Sequence, residues 1–226
     1  MEPFKPIATI VTDFPEKFGV PRQSGLIGSL SGKIIFEPSY RSPDALKGLE
    51  DFSHIWLLWL FSENKPKEWS PTVRPPRLGG NRRMGVFATR SPYRPNPIGL
   101  SAVKLEKIEW HTPQGPVLTV SGVDMVSGTP ILDIKPYLPY ADVYPDATGG
   151  FTDQQAFPAL RVALSKEAEK VLPKETAGSL QALLAEDPRP HYHHDEERVY
   201  GLAFAGYAIR FQVREDTVTV LSAEPT

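Results

Sequence analysis

Proline is the residue that most constrains how this chain can fold. The sequence contains 24 prolines in 226 residues, which is about twice the usual share. Each proline fixes φ, lacks a backbone N–H and restricts the residue before it, so it interrupts helices and central strands. Because few segments show a long helical period, this spacing favours short strands joined by structured loops.

Runs of β-branched and aromatic residues indicate where the strands lie. The apolar run SHIWLLWLF, residues 53–61, predicts a strand that is buried on both faces. About seven such runs precede residue 140, and turn residues separate them. This spacing favours a closed or nearly closed β-barrel over a βαβ fold. Other predicted strands in this part are Lys5–Asp13, Lys33–Phe36, Met84–Thr89, Gly99–Ile108 and Val117–Asp124.

The pattern changes after a polar, glycine-containing boundary at residues 142–153. Two helical segments, 165–172 and 175–187, precede one half-exposed strand over Val199–Val213 and its hairpin partner at Thr217–Leu221. We therefore expect a mainly β protein. Its parts are a β-barrel domain at residues 1–145 and a small α+β C-terminal domain at residues 146–226.

Composition and missing motifs exclude several classes of function. The chain has 0 cysteines, so it has no disulfide, no thiolate nucleophile and no cysteine-ligated metal. The first residues do not resemble a secretory signal, and the apolar run is too short to span a bilayer, which predicts a soluble cytoplasmic protein. The motifs of Rossmann folds, P-loop proteins, serine hydrolases and zinc proteases are missing.

Residues 69–104 form a basic segment with the sequence WSPTVRPPRLGGNRRMGVFATRSPYRPNPIGLSAVK. The segment carries seven Lys or Arg residues and no Asp or Glu, although the whole chain has a net charge of −2. A rigid, basic segment in an otherwise acidic chain indicates a local anion-binding site. A solvated connecting loop is the alternative.

Three polar residues at strand ends are candidates for chemistry. Asp124 and Asp133 flank a turn, where carboxylates can bind a ribose diol or an ammonium group, or act as a base. Caps of backbone N–H groups are the alternative for both. His54 begins the apolar strand, where it can serve in catalysis or satisfy a backbone carbonyl.

The polar loop at residues 187–198 contains His191, His193 and His194. Their spacing matches no zinc pattern, so we expect no metal. A solvated loop, or one that faces RNA with Arg189 and Tyr192, is the preferred interpretation.

Four ordered blocks resemble the TrmO family, also called TsaA-like or YaeB. They read EDFSHIWLLWLF, RPPRLGGNRRMGVFATRSPYRPNPIGLSAV, DMVSGTPILDIKPYLPYAD and DPRPHY, and they cover most of residues 20–192. The resemblance implies an S-adenosylmethionine-dependent methyltransferase with a single-sheeted β-barrel and a homodimeric assembly. The implied substrate is N6-threonylcarbamoyladenosine at position 37, in the anticodon stem-loop of tRNA and chiefly of threonine tRNA. Neither DNA nor a membrane is an expected partner.

The same resemblance implies which residues bind S-adenosyl-L-methionine. They are Pro21, Arg22, Gln23, His54, Ile55, Arg90, Leu100, Asp124, Met125, Val126, Ser127, Gly128 and Thr129. The chain departs from the family at Ser127, because the turn usually reads D-x-x-D-G-T-P. The function of that second acid then belongs to the Ser127 hydroxyl, to Asp124 or to main-chain carbonyls.

Methylation of N6 requires the loss of its proton, so a base would assist. We expect Asp133 as the first candidate, Asp124 as the second and His54 as the third, with positioning alone as a competitor. The expected RNA-binding residues are Arg77, Arg82, Arg83, Tyr93, Arg94, Lys135, Arg189 and Tyr192. Two other functions stay open: an RNA- or nucleotide-binding barrel without transfer activity, and a methyltransferase for a small acceptor.

Overall fold

The computed structural model describes residues 4–63, 69–75, 82–153, 158–189 and 195–226. These residues form twelve strands and three α-helices. The strands are β1 (Ala8–Thr12), β2 (Ser31–Phe36), β3 (His54–Leu60), β4 (Thr72–Val73), β5 (Met84–Gly85), β6 (Ile98–Glu109), β7 (Val117–Ser121), β8 (Thr129–Pro136), β9 (Arg161–Leu164), β10 (Val199–Phe204), β11 (Tyr207–Arg214) and β12 (Thr217–Pro225). The helices are α1 (Pro139–Asp142), α2 (Lys166–Val171) and α3 (Lys174–Ala185).

Six strands close into a barrel in the order β1-β2-β7-β6-β3-β8. Each strand pairs antiparallel with both of its neighbours. Because side chains alternate along a strand, every second residue enters the barrel and fills its interior. The predicted β-barrel is therefore confirmed. Its fully buried interior residues include Ile10, Ile34, Ile55, Leu57, Leu118 and Ile131.

The C-terminal part is a four-stranded sheet in the order β10-β11-β12-β9, with β9 parallel to β12. Helix α3 buries Leu180, Leu183 and Leu184. Helix α2 begins at a Ser165 cap, whose hydroxyl accepts a hydrogen bond from Ala168 N at 3.1 Å. The predicted small α+β part is confirmed.

Aromatic residues join the barrel to the C-terminal sheet. The ring of Phe14 lies 5.3 Å from that of Phe204, and the ring of Phe18 stacks on Phe211 at 6.4 Å. The backbone contributes a hydrogen bond from Ala205 N to Asp13 O at 2.9 Å. One continuous apolar core therefore runs through both parts.

Strand β3 differs from the prediction that both of its faces are buried. Ile55, Leu57 and Trp59 are buried inside the barrel, whereas Trp56 and Leu58 on the outer face are only partly covered. An apolar run does not distinguish a strand buried on both faces from one buried on a single face, because large apolar residues also occupy half-exposed strand faces.

Two other predicted strands are wrong in extent. The segment Met84–Thr89 is the two-residue β5 followed by a 3-10 turn at Val86–Ala88, which the Thr89 N–H closes by donating to Val86 O at 3.2 Å. The segment Val199–Val213 is a hairpin of β10 and β11. Its turn residues Ala205 and Gly206 have φ of 50° and 79°, as a type I′ turn requires.

Among the described residues, no helix has the length and apolar character needed to cross a membrane.

Gly19 allows the loop after β1 to approach the C-terminal sheet. Its φ is +91°, and an added Cβ would lie 2.3 Å from Cδ1 of the buried Leu202. Gly25 has a similar φ of +77° but open space around it. We expect about 1–2 kcal/mol of lost stability from the left-handed backbone in either alanine variant. Gly19→Ala should lose about 1–3 kcal/mol more from overpacking.

Urea unfolding of Gly19→Ala and Gly25→Ala measures this difference. An equal loss of stability in both variants would contradict a tight contact between Gly19 and Leu202.

Candidate active site

Asp124 follows β7, and its carboxylate enters the end of the barrel. Its Oδ1 accepts a hydrogen bond from the fully buried Ser101 Oγ at 2.6 Å. Burial raises the pKa of Asp124 to about 6, although the hydrogen bond from Ser101, backbone N–H groups of Asp124 and Ser24 and the charge of Arg90 all lower it. This carboxylate can therefore change its protonation state near neutral pH.

Arg90 acts on this carboxylate and also contacts Gln23. The Arg90 guanidinium donates a hydrogen bond to Gln23 Oε1, and its charge acts on Asp124. The structure thus brings together three predicted cofactor-binding segments, namely residues 21–23, Arg90 and the turn that begins at Asp124. A cation and an anion at one opening suit a zwitterionic amino acid group.

The turn from Met125 to Gly128 is attached to β1. Ser127 Oγ accepts a hydrogen bond from Thr12 N at 3.2 Å, and Thr12 Oγ1 donates to Met125 O at 3.0 Å. The Gly128 N–H donates to Ile10 O at 2.8 Å. A carboxylate at position 127 could accept the same bond from Thr12, so the departure from the family pattern preserves an acceptor there.

Some predicted cofactor-binding side chains belong to the core. Ile55, Met125 and Thr129 are 0%, 1% and 4% exposed, and Thr129 Oγ1 donates to Val126 O at 2.7 Å. A ligand outside the core could meet only their backbone groups. Leu100, in contrast, is 52% exposed on the outer face of the barrel.

His54 lies on the outer face, away from the hydrogen bonds of Asp124. Its Nδ1 lies 3.0 Å from Ser53 Oγ, and its ring centroid is 6.2 Å from that of Tyr137. The partner of Nδ1 is thus a hydroxyl, and not the backbone carbonyl expected for a histidine with a purely structural role.

Asp133 lies within β8, and not at a strand end as the sequence suggested. It is opposite Leu58 on the outer face, where a bulge shifts the register. Its Oδ2 forms an ion pair with Lys135 Nζ at 2.9 Å, and its Oδ1 accepts a bond from Ile134 N at 2.9 Å. Asp124 and Asp133 therefore occupy different environments.

Several predicted RNA-binding residues are accessible. Arg82 and Arg83 are exposed, and Arg83 donates to Thr72 Oγ1 at 3.2 Å. Arg94 is partly buried and donates to Thr89 O at 3.1 Å, while Tyr93 is 49% exposed. The Lys135 side chain is 63% exposed. Arg77 and Tyr192 lie outside the described residues.

Arg189 is engaged within the protein. Only 14% of its side chain is exposed, and its guanidinium bonds both carboxylate oxygens of Asp187 at 2.8 and 2.9 Å. Arg22 donates to the backbone carbonyls of Asp187 and Arg189, both at 3.5 Å. The C-terminal part therefore contacts the 21–23 loop next to a cleft of about 110 Å³. This volume is below the roughly 300 Å³ of the smallest usual ligand pockets.

Sequence reasoning missed two residues of this region. Ser101 could have been found from the sequence, because it is a polar residue within the apolar run at the start of β6. Phe87 is 74% exposed among the arginines of the basic segment, and its turn could not be inferred from a segment that looked like a strand. Among the described residues no group of three His, Asp or Glu could hold a metal, and His191, His193 and His194 lie outside them.

Comparisons with known proteins give a consistent result. Residues 9–143 match the tRNA-methyltransferase O N-terminal domain family, and residues 158–226 match the TrmO C-terminal domain family. The chain belongs to the TrmO family. A TrmO crystal structure from Pseudomonas aeruginosa superposes with a TM-score of 0.80 at 35% identity, covering 100% of this chain and 98% of that one.

Curated relatives include tRNA (adenine(37)-N6)-methyltransferase of Escherichia coli. It is 42% identical over 231 residues, which cover 98% of this chain and 97% of the relative. RcsF of Pseudomonas aeruginosa is named as an S-adenosylmethionine-dependent methyltransferase. It is 42% identical over 96% of this chain and 95% of its own length. The resemblance to TrmO proteins and the expected fold are both confirmed.

The Ser127 side chain should stabilise the protein by accepting the hydrogen bond from Thr12 N, and any acceptor of similar reach should replace it. Ser127→Ala leaves the Thr12 N–H without its side-chain acceptor, so we expect about 1–3 kcal/mol of lost stability. Ser127→Asp restores an acceptor and the usual TrmO pattern, so its loss should be smaller. Thermal unfolding of both variants checks this order, and equal stability of Ser127→Ala and wild type would contradict it.

Proposed function

We propose that this TrmO family member methylates N6 of N6-threonylcarbamoyladenosine at position 37 of tRNA, chiefly of threonine tRNA. The observation that supports this most strongly is the 42% identity to an adenine-37 tRNA methyltransferase over 98% of the chain. The methyl donor is S-adenosyl-L-methionine.

The residues at the barrel opening fit this cofactor chemically. Asp124 can accept hydrogen bonds from an ammonium group or a ribose diol, and Arg90 can bind a carboxylate. Gln23 offers an amide next to Arg90, and the turn at residues 125–129 adds backbone groups. We assign these residues and the 21–23 loop to cofactor binding.

S-adenosylmethionine, when bound, supplies a methyl group on a positively charged sulfur. The acceptor N6 must lose its proton as the new N–C bond forms, because its lone pair is delocalised into the ring and the adjoining carbonyl. A buried carboxylate with a raised pKa suits this step near neutral pH. We therefore place Asp124 ahead of Asp133, whose carboxylate is paired with Lys135, and ahead of His54.

The anticodon stem-loop binds at the basic segment in this proposal. Arg82, Arg83 and Arg94 neutralise phosphates, and Tyr93 with Phe87 stacks on unpaired bases. The contacts of Arg189 with Asp187 favour a structural role for its guanidinium over a phosphate contact.

We also propose the division into a barrel domain, residues 1–145, and a domain at residues 146–226 that helps to recognise tRNA. The protein acts in the cytoplasm as a homodimer in this proposal. Light scattering should then give a mass near twice the 25.1 kDa of one chain.

The decisive experiment is methyl transfer from labelled S-adenosylmethionine to tRNA from cells that lack this protein. We expect one added methyl group on threonylcarbamoyladenosine when nucleosides are resolved by mass. Asp124→Asn should reduce the rate by roughly 10²–10⁴-fold, the usual contribution of a general base. Asp133→Asn is the matched control, because it neutralises an acid on the outer face and should cost much less.

Cofactor binding without transfer to any tRNA would favour a small acceptor. Neither binding nor transfer would favour a binding protein without transferase activity. A larger loss in Asp133→Asn than in Asp124→Asn would reverse the assignment of the base.

Charge reversal of Arg82 and Arg83 tests the RNA surface. Arg82→Glu with Arg83→Glu should abolish tRNA methylation and leave S-adenosylmethionine affinity unchanged, because both side chains are exposed and the cation that acts on Asp124 is Arg90. Lys33→Glu with Lys47→Glu makes the same charge change at two exposed positions, on β2 and in the connection between β2 and β3, and should preserve activity. Affinity for tRNA should also fall with salt, with a slope near −0.7 per contacted phosphate.

A further inference from the structure

A chain of hydrogen bonds runs through the barrel interior to Asp124. The Trp59 indole N–H donates to Ser101 Oγ at 2.9 Å, and Ser101 Oγ donates to Asp124 Oδ1 at 2.6 Å. Ser101 is 0% exposed and Trp59 is 7% exposed. Buried polar groups require partners, and these three groups satisfy one another inside an apolar barrel.

The chemistry of the groups fixes the direction of this chain. An indole nitrogen can only donate, so Ser101 Oγ must accept from Trp59. The single hydroxyl hydrogen of Ser101 is then free to point at Asp124. Because each bond polarises the next, the Trp59 N–H strengthens the bond that Ser101 donates. Such a bond favours the charged form of the carboxylate.

Gly99 provides the space that places the indole there. Gly99 is paired with Trp59 between β6 and β3, and a Cβ at position 99 would lie 2.2 Å from Trp59 Cε2. Phe61 packs against the indole, with ring centroids 4.3 Å apart. The indole therefore has a defined site, and its N–H reaches the serine two residues beyond Gly99.

Asp124 has two further sources of stabilisation. They are the backbone N–H groups of Asp124 itself and Ser24, and the charge of Arg90. Among the described residues, Arg90 is the charged group that acts on this carboxylate. Burial raises the pKa of Asp124, and the hydrogen bond from Ser101 is the strongest of the contacts that lower it.

We propose that Ser101 and Trp59 are positioning residues that hold the Asp124 carboxylate ionised and directed toward the cofactor at the barrel opening. This inference rests on the proposed function, because it assumes that Asp124 faces the cofactor. Ser101 and Trp59 do not touch the substrate in this arrangement, and they act through Asp124.

Ser101→Ala tests the inference through the pH dependence of S-adenosylmethionine binding, measured by calorimetry. Wild-type affinity should fall below pH about 6, where Asp124 becomes protonated. Without the Ser101 hydroxyl the midpoint should move upward by roughly one to two pH units. The affinity of Ser101→Ala should stay within roughly threefold of wild type well above the shifted midpoint, because Asp124 is ionised in both proteins there and the direct contacts of the cofactor are the same.

Three variants separate positioning from a general loss of structure. Ser101→Thr keeps the hydroxyl and should restore the wild-type midpoint. Trp59→Phe removes the N–H and should shift the midpoint in the same direction by less. Ser121→Ala removes another buried serine, which bonds Glu106 on the neighbouring strand, and should leave the midpoint unchanged.

The titration of the Asp124 carboxyl carbon by NMR tests the inference without any ligand. Asp124→Asn identifies the signal, and the midpoint should be higher in Ser101→Ala than in wild type. An unchanged midpoint overturns the inference whether or not the protein binds S-adenosylmethionine. A shifted midpoint in a protein that binds no S-adenosylmethionine supports the hydrogen-bond chain and rejects the proposed function. A loss of affinity that is equal at every pH also overturns it.

Discussion

The pairing of β1 with β8 is the interaction on which the rest of this structure depends. It closes the barrel through the pairs Ala8 with Ile131 and Ile10 with Thr129. The same seam holds the turn after Asp124, since backbone and side-chain bonds attach that turn to β1. Two residues after β1, Phe14 packs against Phe204 of the C-terminal sheet. Loss of this pairing would therefore affect the barrel, the site and the sheet together.

Closure of the barrel also explains why Asp124 is unusual. A closed barrel excludes water from its interior, and a carboxylate there is stable only with donors and a nearby cation. Ser101 comes from a strand, whereas Ser24 and Arg90 come from loops that are distant in sequence. The site is therefore a product of the closed fold, because no short segment contains it.

The sequence allowed the barrel and the α+β part to be predicted, because alternation and turn residues are local signals. It did not allow the orientation of Asp133 to be predicted, since a bulge in the pairing of β8 decides which face that residue occupies. The hairpin turn at Ala205 and Gly206 was missed for another reason, which is that alanine rarely adopts positive φ. The residues around Asp124 were implied by family resemblance, but its bond to Ser101 depends on the register between β6 and β7, which no motif encodes.

The C-terminal part is joined to the proposed cofactor-binding loop by a short series of contacts. Arg22 of the 21–23 loop donates to the carbonyls of Asp187 and Arg189, and the ion pair between these two residues fixes the position of both carbonyls. Gln23, next in sequence, accepts a bond from Arg90, whose charge acts on Asp124. Because each of these contacts is polar and directional, a change at residues 187–189 would alter the loop before it altered the apolar core. The motif DPRPHY can thus influence the 21–23 loop even though its described residues lie outside the barrel.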